Sequence, residues 1–422
     1  MAKVGYVGLG AMGGSLSRHL VAGYELTVLD RNPAAVEALC HAGARAASNG
    51  AELARDCDII VLCLPRTADV REAIFGAGGL AEGLTPGKLV IDQTSGVPVQ
   101  TAAIAAELAE QGVAMLDAPV SGGIPAAKAG KVTIIASGPD EAWAQAEPVL
   151  RAMTEKVFRC SALVGDAQAL KLVNNAIGMD FRMAALELVA LGRKAGLGLA
   201  PIVERLNAGP AANFTTRNML AALVEGRSTT DFALALMAKD LNEAMALALP
   251  HGAAMPMTAG TRALVQTGLA LFGKDAKLDD VIPLTGKLAG VEMRGEGGDD
   301  AELLALIETG VLVGNVLSVA ECVAMGKRFG IGPAEMARIL NVGSAWCAVS
   351  DLLLPALAAG TRPDLPLSLG EAVGALTELT RRAAELGTPF ILPGFCLALL
   401  QEAMRQHGAA ASLGHVTFGF EN

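Results

Sequence analysis

The first 160 or so residues alternate short aliphatic runs with helix-length amphipathic stretches: Val4-Gly5-Tyr6-Val7, Leu26-Thr27-Val28-Leu29, Ile59-Ile60-Val61-Leu62, Leu89-Val90-Ile91 and Ala114-Met115-Leu116. Runs that are apolar throughout suit strands covered on both faces, so the pattern predicts a doubly wound parallel α/β sheet of Rossmann type up to about Leu163. Past Val164 the strand pattern stops. Leu170, Val173, Ile177, Phe181, Ala184, Leu188 and Leu191 recur at helical spacing from Gln168 to about Ala195, with no proline among them, which predicts one long helix ended by Gly196. The remainder reads as helices punctuated by Gly and Pro.

A repeat sets the expected domain count. Residues 185–209 align without gaps to residues 319–343 at an offset of 134, with ten of twenty-five positions identical, among them Glu187/Glu321, Gly192/Gly326, Asn207/Asn341 and Gly209/Gly343. A unit this long is no short solenoid repeat and points to a duplicated helical domain. The polar, glycine-rich stretch Gly295 to Asp300 is the expected break between copies. The expected organisation is therefore a dinucleotide-binding domain over 1–163, an all-helical catalytic domain over 164–294, and a second, degenerate helical copy over 301–422: two tandem all-α domains after the α/β sheet.

Composition narrows the function classes. Of 422 residues, 52% are apolar and 18% charged, as in a packed rather than a disordered chain. A net charge of -10 without any Lys/Arg run argues against nucleic-acid binding, leaving small molecules or other subunits as partners; a homodimer stays open. Apolar runs such as Ile59–Leu64 fall far short of the ~20 residues needed to span a bilayer, so no membrane span is expected. Seven cysteines without a C-x-x-C, and no signal sequence before Lys3, lead to an expectation of reduced thiols and a cytoplasmic location. Five histidines, none at H-x-x-x-H spacing, argue against a metal site.

Directly after the first strand stands Gly8-Leu9-Gly10-Ala11-Met12-Gly13, a G-x-G-x-x-G between strand and helix. Its glycines permit a tight turn, close approach to a pyrophosphate, and helix–strand packing, and the helix amides meet the phosphates. Asp30, at the end of the second strand, is placed to accept from the ribose hydroxyls and to repel a 2′-phosphate, favouring NAD; Arg31, next in sequence, could instead hold that phosphate, so NADP stays open. Ser121-Gly122-Gly123 offers a hydroxyl and side-chain-free amides able to hold a carboxylate. Lys171, Asn174 and Asn175 share one face of the long helix among apolar neighbours, where a lysine's pKa can fall far enough to exchange a proton with a hydroxyl.

With Asp117-Ala118-Pro119-Val120-Ser121-Gly122-Gly123, Lys171-Leu172-Val173-Asn174-Asn175 and Lys239-Asp240-Leu241 added to the nucleotide loop, residues 3 to about 290 resemble the β-hydroxyacid dehydrogenases, the group of 3-hydroxyisobutyrate dehydrogenase and tartronate semialdehyde reductase. The resemblance implies a dehydrogenase or reductase transferring hydride between NAD(P) and a small hydroxy acid. It implies Lys171 as general acid/base, Ser121, Gly122 and Gly123 as the carboxylate site, and Asn175 orienting the substrate. Leu64, Pro65 and Thr94 match loops along the cofactor, Lys239 a lysine near the nicotinamide, and Phe232 a residue lining the substrate pocket. The chain departs from the family at Ala167, at the order Thr94-Ser95, at Lys131, and in carrying a second helical copy whose counterparts of Lys171, Asn174, Asn175 and Lys239 are Ala305, Glu308, Thr309 and Val373. That doubling also resembles the 6-phosphogluconate dehydrogenases, so a decarboxylating enzyme, or a non-catalytic dinucleotide-binding scaffold, remains an alternative.

Overall fold

The computed structural model describes residues 2–328 and 330–418. Met1 and residues 419–422, at the outer ends of the expected first and last segments, lie outside the described residues. The chain divides into two compact units, Met1–Lys171 and Leu172–Asn422, so the second helical segment and all of the first but residues 164–171 fall within one unit.

Unit one is built on nine strands: β1 (Lys3–Val7), β2 (Glu25–Leu29), β3 (Arg45–Ala46), β4 (Ile59–Leu62), β5 (Leu89–Asp92), β6 (Ala114–Asp117), β7 (Val120–Ser121), β8 (Thr133–Ser137) and β9 (Lys156–Ser161). Their order is β3-β2-β1-β4-β5-β6-β8-β7, with β9 paired to β8. The first six are parallel, whereas β8 runs antiparallel to β6 and β7. The five apolar runs of the sequence are β1, β2, β4, β5 and β6. Successive side chains point to opposite faces, and Val4, Tyr6, Val28, Val61 and Ile91 enter one apolar cluster while Val7, Ile60, Leu62, Val90 and Met115 enter another. Both faces are dry, which is why the runs do not alternate with polar residues. Between β1 and β4 the strand order reverses, and it is outside the carboxyl ends of strands at such a switch point that open α/β sheets bind ligands.

In unit two the helices recur at the sequence offset. The long helix Asp166–Lys194, which begins in unit one, has a counterpart in Ala301–Arg328; Leu199–Ala208 corresponds to Pro333–Leu340, Leu234–Ala248 to Leu369–Leu386, and Pro256–Phe272 to Leu392–His407. The two sets touch reciprocally. Phe214 N donates to the Trp346 carbonyl at 2.9 Å, and Ala348 N to the Ala212 carbonyl at 2.8 Å, so that Asn213 pairs with Cys347, its own counterpart. Glu321 accepts from the amides of Met257 and Thr258 at 2.8 and 2.9 Å, in the first turn of Pro256–Phe272. Glu187, its counterpart, accepts from Ile391 and Leu392 at 2.9 Å each, at the start of Leu392–His407. Each glutamate thus satisfies helix-end amides of the other set, where a negative charge also complements the helix dipole.

Residues Ala301–Lys327 form a helix long and apolar enough to cross a membrane, which the short strand runs had not suggested. Its most apolar window is 72% buried inside the structure, as befits a core helix. Among the described residues all seven cysteines are free thiols and no cluster suited to a metal ion occurs.

Candidate functional site

The loop after β1 meets each requirement of a dinucleotide cradle. Gly8 has φ +92°, and a Cβ there would lie 2.4 Å from the Cys63 carbonyl; at Gly13 it would lie 2.1 Å from the Gly8 carbonyl. At Gly10 a Cβ would meet nothing within 4 Å, so the front of the loop is open where a pyrophosphate must approach. Gly10 and Ala11 are exposed and Met12 is half-buried at the start of the Ala11–Ser17 helix, whose first amides have no partner within the helix. A dinucleotide therefore fits the residues present. The Leu9 amide is already committed: it donates to Asp30 Oδ2 at 2.5 Å, while Asn32 N donates to Asp30 Oδ1 at 2.7 Å. Asp30 thus braces the phosphate loop as well as standing at the end of β2, with one lone pair left on each oxygen for a ribose. Arg66 holds Asp69 below the usual carboxylate range, mainly through hydrogen bonds at 3.0 and 3.2 Å, and Arg31 adds positive charge nearby. On the β4 side, Leu64 N donates to Thr94 Oγ1 at 3.1 Å, tying the loop after β4, where Pro65 follows, to the loop after β5.

At the other end of the sheet, Lys171 Nζ lies 3.2 Å from Ser121 Oγ, with Lys171 only 7% and Ser121 8% exposed. Ser121 ends β7. Gly122 follows with φ +134°, a conformation that L side chains rarely adopt. Asp117, closing β6, fixes the start of the long helix: Gly165 N and Gln168 N each donate to its carboxylate at 2.8 Å, and Ser137 Oγ donates at 2.5 Å. Burial pushes the Asp117 carboxyl up to about 7 despite these donors. Gln168 Nε2 donates to Asp92 Oδ2 at 3.1 Å and to the Thr94 carbonyl at 3.0 Å. The turn that presents Lys171 is therefore pinned to the ends of two strands.

In unit two, Asn175 Nδ2 donates to Asp240 Oδ2 at 2.6 Å, and Asp240 Oδ1 lies 3.1 Å from Lys239 Nζ. Asp240 is 2% exposed, so one buried carboxylate holds both an amide and a cation. Asn174 Nδ2 donates to Asn175 Oδ1 at 3.2 Å and to Ser344 Oγ at 2.9 Å. Phe232, 37% exposed, lies at the surface of its unit. Asp117, Gln168, Asp240 and Ser344 were not singled out from the sequence. Asp117 and Asp240 stood inside the quoted motifs, but only the fold reveals what their carboxylates receive.

Residues 3–162 match the family model described as the NAD binding domain of 6-phosphogluconate dehydrogenase, and residues 165–285 the one described as NAD-binding of NADP-dependent 3-hydroxyisobutyrate dehydrogenase. L-threonate dehydrogenase of Cupriavidus necator is 32% identical over 61% of this chain and 87% of its own length. The chain belongs to the β-hydroxyacid dehydrogenase family. As a β-hydroxyacid dehydrogenase it is an NAD(P)-dependent oxidoreductase acting on CH–OH groups. A solved 3-hydroxyisobutyrate dehydrogenase from Salmonella typhimurium aligns with 67% of this chain and all of its own, at 29% identity and a TM-score of 0.60. The 6-phosphogluconate dehydrogenase of Plasmodium falciparum aligns with 95% of this chain and 92% of its own, at 14% identity and a TM-score of 0.71, a likeness of fold that takes in both helical sets.

Proposed function

We propose that this dehydrogenase acts on a small hydroxy acid, with Lys171 as the general acid/base and NAD as the preferred cofactor. The reading is supported above all by the buried Lys171 side-chain nitrogen against Ser121, whose hydroxyl is followed by the amides of Gly122 and Gly123. When bound, the nicotinamide supplies the hydride acceptor or donor. Lys171 takes the hydroxyl proton as the alcohol is oxidised and returns it to the carbonyl oxygen in reduction. Ser121 and the two glycine amides hold the carboxylate. Asn175, fixed by Asp240, orients the hydroxyl, and Lys239 adds positive charge suited to an anion. Asp30 disfavours a 2′-phosphate.

Initial rates with NAD and NADP over L-threonate, 3-hydroxyisobutyrate, glycerate and related acids test this. Lys171→Ala is expected to lower kcat by ~100- to 10,000-fold. A loss of only a few-fold would reject the proton-transfer role.

Residues 301–422 read, in this proposal, as a degenerate copy of 164–294. In support, the recurring helices and reciprocal contacts follow the offset of the sequence repeat. The counterpart of Asn174, Glu308, pairs instead with Arg205 at 2.6 Å, a structural use of the position.

A further inference from the structure

The proposed function assigns Asn175 but leaves open what the second copy contributes besides packing. The hydrogen-bond chain through Asn174 answers this. Asp240 stands at one end as an acceptor, its Oδ2 2.6 Å from Asn175 Nδ2 and its Oδ1 3.1 Å from Lys239 Nζ. Asn175 must therefore present its amino group to Asp240, which leaves its Oδ1 to accept from Asn174. Asn174 in turn spends one amino hydrogen on Asn175 Oδ1 and the other on Ser344 Oγ. Ser344 is the far anchor, and it belongs to the second copy. Around it the loop is tight: a Cβ on Gly343 would lie 3.0 Å from Asn174 Oδ1, and a Cβ on Gly178, one turn beyond Asn174, would lie 3.1 Å from the Ser344 carbonyl.

The related contact on the opposite side has diverged. There the second long helix offers Glu308 in place of Asn174, and a Cβ on Gly209, the counterpart of Gly343, would lie 2.0 Å from Glu308 Oε1. The residue after Gly209 is Pro210, which has no hydroxyl, whereas the residue after Gly343 is Ser344. A hydroxyl therefore stands at the one of the two equivalent positions that faces the asparagine pair.

We propose that Ser344 is a positioning residue for the substrate: by holding Asn174 it fixes the amide of Asn175 in the orientation that engages the hydroxy acid. Removing the hydroxyl leaves Asn174 without this anchor, and its hold on Asn175 is loosened. One neutral hydrogen bond of this kind corresponds to about a fivefold change in binding.

The inference rests on the proposed function, and one experiment separates their failures. Steady-state kinetics of the full chain, Ser344→Ala, Ser344→Thr, Asn174→Ala and the Ser344→Ala/Asn174→Ala double variant are compared on the acid that the parent oxidises best, with Lys171→Ala as control. Ser344→Ala is expected to raise KM for the acid about fivefold, with KM for the cofactor and kcat within about twofold. Ser344→Thr should restore it, and the double variant should be no worse than Asn174→Ala alone, because the serine acts through that asparagine. A purely structural role would instead lower the active fraction, reducing kcat at unchanged KM. An unaltered KM in Ser344→Ala, or additive losses in the double variant, overturns the inference alone. A parent that oxidises no hydroxy acid overturns the proposed function and the inference with it.

Discussion

Glu321 and Asp180 place two carboxyl groups in the dry interior of unit two, with the Thr258 hydroxyl 2.6 Å from the first and 3.3 Å from the second. Burial pushes Glu321 up to about 7, and burial together with the Glu321 charge raises Asp180 well above its ordinary value. An acid whose pKa is raised by folding contributes stability that is fully present below its unfolded value, ~4.3 for glutamate, and is lost as pH rises through the folded one. Glu321→Gln trades one acceptor oxygen for an amino group facing a helix-end amide, so it should be less stable than the parent near pH 5, and the deficit should shrink toward pH 8 as ionisation of the buried carboxyl destabilises the parent. Thermal unfolding midpoints across that range check this, and parallel curves for the two proteins would contradict it. Lys171 and Asn175 were legible in the sequence because one helical turn separates them. Asp240 was less so: an aspartate following a lysine reads as a local ion pair, and only the fold brings Asn175 onto it. Ser344 left no local trace, being 170 residues from its partner.

Among the elements, the long helix was expected from Gln168 to about Ala195 and runs from Asp166 to Lys194. Its start could not be read from periodicity, because the groups that anchor it, Asp117 and Ser137, come from β6 and β8. Asp117→Ala would strand the Gly165 and Gln168 amides and the Ser137 hydroxyl in a dry interior. At roughly 1–3 kcal/mol for each unsatisfied group, partly relieved by relaxation, the unfolding midpoint should fall by on the order of 10 °C, with a smaller fall in Asp117→Asn, which keeps one acceptor oxygen. Calorimetry of the three proteins decides it. Strands β1, β2, β4, β5 and β6 were legible because both of their faces are apolar. The remaining four were not marked: β3 and β7 have two residues each, β8 reverses direction beside β6, and β9 pairs only with β8 and has an exposed or half-buried residue at four of its six positions.

For the whole molecule, the helical sets hold one another. The second long helix crosses the first where glycines permit it: a Cβ on Gly310 would lie 3.0 Å from Leu188, and one on Gly314 3.4 Å from Ala184. Ending the chain at Arg294 would uncover this seam and remove Glu321 from the amides of Met257 and Thr258. The truncated protein is expected to be insoluble or inactive; a soluble fragment with parental kcat and KM would show that the first set stands alone.

A homodimer built from one gene must display every substitution on both sides of its axis, so a change useful at one face is imposed on the other. Joining the halves in a single polypeptide lifts that constraint. Serine and proline can then occupy equivalent places, and so can asparagine and glutamate, each half evolving on its own account.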